Sequence, residues 1–186
     1  MMLKAVEIER LPAKVVREIT SPAQELVLID CQLARAEDDE EPPPVLLHWR
    51  TGDWSKPPLD IALDEDTGRF QSLQLAIQEE AIERKMLPGV DLATLASETG
   101  IPVFESTRWG DDDRYIDENL QPILSWEEPS DLLVVFGPSP VQITRACSVD
   151  ASLAFLFNEQ DEIVGVRLNQ ITHEEKRTIR LATPLK

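Results

Sequence analysis

At 186 residues and 42% hydrophobic content, the chain is long enough and apolar enough to bury a sizeable core within one domain, which argues against a disordered polypeptide. Its 35 acidic residues against 18 basic ones give a net charge of −17. Such a field disfavours nucleic acid and anionic membrane and favours either a basic partner or simple solubility.

The first eleven residues mix Lys4, Glu7, Glu9 and Arg10 among apolar ones. No signal-peptide core is legible there, and a cytoplasmic location is expected. Residues 13–19 (AKVVREI) and 25–33 (ELVLIDCQL) alternate as strands do, with Ser21-Pro22 as the break between them. The run from Glu37 to Glu41, followed by Pro42-Pro43-Pro44, reads as a solvated loop: like charges repel, and proline cannot donate to a ladder. Residues 45–50 (VLLHWR) return as a strand. Residues 79–85 suit a short helix. So do residues 91–99, with Asp91 as cap, Leu92, Leu95 and Ala96 on one face, and Gly100 as the stop.

Residues 101–131 then carry nine acids and two arginines together with Trp109, Tyr115 and Trp126. Residues 131–136 (DLLVVF) form an apolar strand. Residues 141–149 alternate, with Arg145 as the exception on the apolar side. Thr172-His173-Glu174-Glu175 has capping-box spacing, and residues 179–181 would be that helix's end or a last edge strand.

Two stretches share a phrase. In 59–77 (LDIALDEDTGRFQSLQLAI) and 153–171 (LAFLFNEQDEIVGVRLNQI), Leu63-Asp64-Glu65 aligns with Phe157-Asn158-Glu159. After a one-residue gap, Phe70, Leu73 and Leu75 align with Ile163, Val166 and Leu168. Each reads as a β-hairpin, and duplication competes with chance because such phrases are short. The fold class expected is mainly β, α+β at most: antiparallel meander sheets with short helices. A single domain spans 1–186, with pseudo-repeat halves at about 13–78 and 131–175 and an acidic insert at 79–130. Val166, Leu168, Leu73 and Leu75 should be buried.

Chemistry-bearing patterns are sparse. The seven glycines form no phosphate-binding loop, and no nucleophile-elbow spacing occurs. Cys31 and Cys147 lie in alternating apolar segments, so buried free thiols are expected rather than a catalytic or disulfide pair. Neither they nor His48 and His173 have chelating spacing, so no metal and no cofactor is expected. The acid runs at Asp64 and Asp111 start like calcium loops. They lack Gly at the sixth position (Arg69, Ile116) and Glu at the twelfth (Leu75, Pro122).

The phrase NEQDEIVGVRL at 158–168 resembles the closing turn and Gly-containing strand of small bacterial β-meander domains of unknown function, with Glu162 where those carry Gly. The resemblance covers under a fifth of the chain and implies a fold without an activity. In charge alone the chain is similar to bacterial immunity proteins, acidic inhibitors of basic toxins.

Two functions are carried forward. One is a non-catalytic acidic binding protein, of immunity type or another inhibitor of a basic protein. Its binding face would be formed or bordered by Trp109, Asp111, Asp112, Asp113, Trp126, Glu127 and Glu128. The other is an enzyme or small-ligand binder with a pocket between two β halves.

Overall fold

Alternation of apolar and polar side chains lays down most of the chain as strands. The computed structural model describes residues 2–35, 42–52, 58–78, 95–107, 109–110, 113–127, 130–136 and 141–182, with side chains to residue 180. Fourteen strands and one helix are found among them. The strands are β1 (Ala5–Glu9), β2 (Val15–Ala23), β3 (Leu26–Leu33), β4 (Leu46–Thr51), β5 (Leu59–Asp64), β6 (Phe70–Gln78), β7 (Ala96–Thr99) and β8 (Ile101–Phe104). They continue with β9 (Tyr115–Glu118), β10 (Ile123–Glu127), β11 (Asp131–Val135), β12 (Arg145–Ser148), β13 (Leu153–Phe157) and β14 (Ile163–Leu168), and the chain then enters α1 (His173–Ala182).

Two six-stranded sheets face each other. The first runs β2-β3-β6-β5-β4-β9 and the second β10-β11-β14-β13-β12-β7. The protein is mainly β and its pairs are mostly antiparallel. Two are parallel, β4 with β9 and β12 with β7. Phe70 of the first sheet meets Phe155 of the second edge to face, at 4.9 Å between ring centroids, and Phe104 adds a second edge contact to Phe155 at 5.8 Å. Val166, Leu168, Leu73 and Leu75 are buried, as the alternation predicts.

The two hairpins pair in the same register. Leu59, Ile61 and Leu63 face Leu75, Leu73 and Phe70, while Leu153, Phe155 and Phe157 face Leu168, Val166 and Ile163. Each ladder slips at one place, between Ala62 and Leu63 in the first and between Leu156 and Phe157 in the second. A two-stranded ribbon of β1 and β8 then holds both turns. Phe104 N donates to Gly68 O at 2.8 Å, and Ala5 N donates to Asp161 O at 2.9 Å.

Several expectations are corrected. Ser21-Pro22 does not break a strand: β2 runs through it with a register shift between Thr20 and Ala23, and the turn falls next to Glu25, whose φ is 62°. Proline is tolerated because β2 is an edge strand. Residues 96–99 are not helical but form β7, since parallel pairing with β12 outweighs a weak local helix preference. Of residues 141–149, Arg145–Ser148 is strand. The helix expected at 79–85, the acidic loop at 37–41 and Asp91 lie outside the described residues. Segment 95–127 contributes to both sheets, through β7 and β10 to the second and β9 to the first.

The capping box forms as its spacing predicts. Thr172 N donates to Glu175 Oε2 at 2.7 Å, and Glu175 N donates to Thr172 Oγ1 at 3.2 Å. The same carboxylate receives Arg17 Nε and Nη2 at 2.9 and 3.0 Å, which ties α1 to β2.

A candidate binding face on the first sheet

Strand alternation puts Ile29, Cys31, Ile61, Leu73, Leu75 and Trp49 of the first sheet against the core, where all are buried. Their neighbours therefore point away from the second sheet. Register sets these outward residues into rows across all six strands. One row reads Glu18, Asp30, Gln74, Asp60, Arg50, Asp117, one side chain from each strand. The next row reads Val16, Gln32, Ser72, Ala62, His48, Tyr115.

The first row holds four carboxylates against one guanidinium. Arg50 is already engaged: its Nε and Nη2 donate to both oxygens of Asp117 at 2.7 and 2.9 Å. The hydrogen bonds to Asp117 push the Arg50 pKa further above its ordinary value, so the guanidinium stays charged. Gln74 Nε2 donates to Asp30 Oδ1 at 2.8 Å, and Glu18 has no partner among the described residues.

His48 Nδ1 lies 2.9 Å from Asp60 Oδ1. An ionised carboxylate only accepts, so in this pairing Nδ1 carries the proton. Tyr115 stacks on the imidazole at 5.1 Å and 25°, with the Arg50 guanidinium carbon 4.3 Å from its ring centroid. Tyr115 nevertheless remains 52% exposed, and Val16, at the other end of its row, 53%. The face is thus a carboxylate-rich row beside a row without carboxylates, with the exposed Val16 and Tyr115 at its two edges. Within the row the neighbours of His48 are Ala62 and Tyr115, so no serine, threonine or cysteine adjoins its imidazole there.

The residues singled out from sequence are divided by the structure. Trp109 is buried, 9% exposed, with its Nε1 donating to the His48 carbonyl at 3.4 Å. Asp113 is exposed and two residues before β9. Both therefore border the face at its β4–β9 end. Trp126 and Glu127 belong to β10 of the other sheet. Trp126 is half-buried, with Lys176 Nζ 5.0 Å from its ring centroid and Arg180 at 6.0 Å, both from α1. That helix packs on β2, the edge opposite β9, so the two tryptophans do not share a surface. Asp111, Asp112 and Glu128 lie outside the described residues.

Other chemistry finds little footing. Burial pushes the Cys31 and Cys147 thiols up to about 12, so neither supplies a thiolate near neutrality. Among the described residues no group of three or more His, Cys, Asp and Glu is placed to hold a metal ion, and no helix is long and apolar enough to cross a membrane. Aromatic rings fill the space between the sheets around Phe70 and Phe155. An open groove of about 990 Å³ lies outside that space, beside the β5–β6 turn, with Lys14, Arg35 and Arg69 set against Asp64 and Asp66.

Sequence reasoning missed His48 and Asp60 because they are twelve residues apart on different strands, and no local spacing marks them. A signal existed in residues 46–50, where His48 and Arg50 alternate with Leu47 and Trp49. No family model matches the chain, and no curated protein matches it.

Proposed function

We propose that the protein is a non-catalytic binder of a basic protein partner, docked across the outward face of the first sheet. One observation carries this reading: the row Glu18, Asp30, Gln74, Asp60, Arg50, Asp117 sets four carboxylates on a solvent-facing surface, with its single base already paired to one of them. Without a use, like charges on neighbouring strands cost stability. A cationic surface offsets that cost, and the protein's overall field accelerates the encounter. Tyr115, held flat by His48 and Arg50, supplies the rigid, amphipathic side chain found at the centre of many interfaces. Inhibition of a basic toxin, as immunity proteins perform it, is one role that such a face suits. No cofactor or metal enters this reading, and nucleic acid and anionic membrane are disfavoured as partners by the same charge.

The test is amide and side-chain NMR mapping with an oligoarginine peptide as the cationic probe. The reading requires shifts concentrated on Glu18, Asp30, Asp60, His48 and Tyr115. Shifts spread evenly over all the exposed acids, or confined to α1 and the hairpin turns, would contradict it.

A further inference from the structure

We infer that the outer edge of β9 accepts an added strand from the basic partner, and that the segment which fits alternates Lys or Arg with β-branched apolar residues. This inference rests on the binding reading above and adds how the partner engages the face.

The strand β9 is the last in its sheet. It pairs with β4 in parallel, with His48 N donating to Arg114 O and Gly52 N donating to Glu118 O, each at 2.8 Å. Alternate residues of a strand turn their peptide groups to opposite sides. Arg114, Ile116 and Glu118 therefore face β4, and Tyr115 and Asp117 turn both N–H and C=O outward. Among the described residues β9 pairs with β4 and with no second strand.

An incoming strand takes up these groups by the main-chain pairing that extends sheets in many complexes. Its outward side chains then lie beside Tyr115 and Asp117, with Asp113 exposed just before them. This is a place for Lys or Arg, by charge and by cation–π contact with a ring already half-exposed. Its other side chains fall next to Ile116, which is partly buried against the core, and so favour Val or Ile.

The opposite edge of the same sheet is less open. Asp150 Oδ2 accepts the Val15 amide at 2.7 Å, α1 packs on β2, and the ladder is irregular between Thr20 and Ala23.

The experiment uses the full chain with a blocked peptide of sequence Lys-Val-Arg-Val-Lys-Val-Arg. Two relatives of the peptide are N-methylated, one on each set of alternate amides. Amide hydrogen exchange at Tyr115 and Asp117 is followed with and without peptide. Saturation should slow both amides by about tenfold or more, and one methylated peptide should bind about tenfold more weakly while the other stays within about twofold. If NMR shifts appear on Glu18 and Asp30 while these amides exchange unchanged and both methylated peptides bind alike, strand addition is overturned and face docking survives. If no peptide binds, both fall.

Discussion

Five strands of each sheet are arranged alike and the two hairpins share a register, yet the outward faces are opposites. The sixth strand follows the other five in the chain in the first sheet and precedes them in the second. In the first sheet the outward residues beside the β5–β6 hairpin are Asp30, Gln74, Asp60 and Arg50. In the second the corresponding row is Leu133, Arg167, Ala154 and Ser148. The row beyond it holds Val135, Gly165 and Leu156. Leu133, Val135 and Leu156 are all buried although they point away from the first sheet. The second sheet is covered on both faces and the first on one. One topology thus serves two purposes: the inward residues must be apolar in both, while the outward ones are free to specialise. Hydrophobic burial fixes the shared frame, and the charge sits where that constraint is absent.

Breaking the frame should hurt either sheet. Phe155→Ala removes the ring that meets both Phe70 and Phe104 and should cost about 3–5 kcal/mol by denaturant unfolding. Leu75→Ala and Leu168→Ala occupy matching, fully buried places in the two hairpins, and each should cost about 2–5 kcal/mol. A loss below about 0.5 kcal/mol at either would mean that its register is misassigned.

The outward positions sharpen the contrast. Ser72 and Gly165 are register equivalents, opposite Ala62 and Leu156. A Cβ on Gly165 would stand 2.6 Å from Val134 O and 3.1 Å from Val135 Cγ1. Gly165→Ala should therefore destabilise by about 1–3 kcal/mol, whereas Ser72→Ala, on the open face, should stay within about 0.5 kcal/mol.

Acid should loosen the clamp around β2. Burial works against the charge of Asp150 and Glu175, but hydrogen bonds outweigh it and hold both carboxyls below their ordinary values. Val15 N, Ser152 and Leu153 N serve Asp150, and Arg17 and Thr172 serve Glu175. A lowered folded pKa gives stability that is fully present above the unfolded pKa and lost as pH falls through the folded one. Thermal melts should therefore decline as pH drops below the ordinary values of 3.8 and 4.5, and less steeply in Asp150→Asn and Glu175→Gln than in the parent. Equal slopes would remove these groups from the account.

How much of this was legible in sequence follows the same division. The hairpins, the apolar strand at 131–135, the capping box at Thr172 and the buried thiols depend on alternation or spacing within a few residues, which a single chain displays. The strand β7 depends on a partner about fifty residues away in β12, and its local preference pointed to helix. Strand β9 sits in an acid-rich segment and its pairing with β4 comes from distant sequence, whereas β10 pairs with β11, the next strand in the chain. The candidate face was illegible for the same reason, since each of its six residues in a row comes from a different strand. Proximity in sequence is not proximity in space: Trp109 sits by His48 of β4 and Trp126 lies in β10 of the other sheet.

On the proposed reading, the open face of the first sheet, rather than bulk acidity, meets a basic partner. The most direct measurement compares two variants of equal charge loss in their association with the oligoarginine peptide across salt concentrations. Glu18→Gln with Asp30→Asn alters the face, and Glu159→Gln with Glu174→Gln alters exposed positions on the second hairpin turn and α1. The first pair should associate several-fold more slowly and with a flatter salt dependence, and the second should stay within about twofold of the parent. Equal slowing by both pairs would reduce the effect to net charge and contradict that reading.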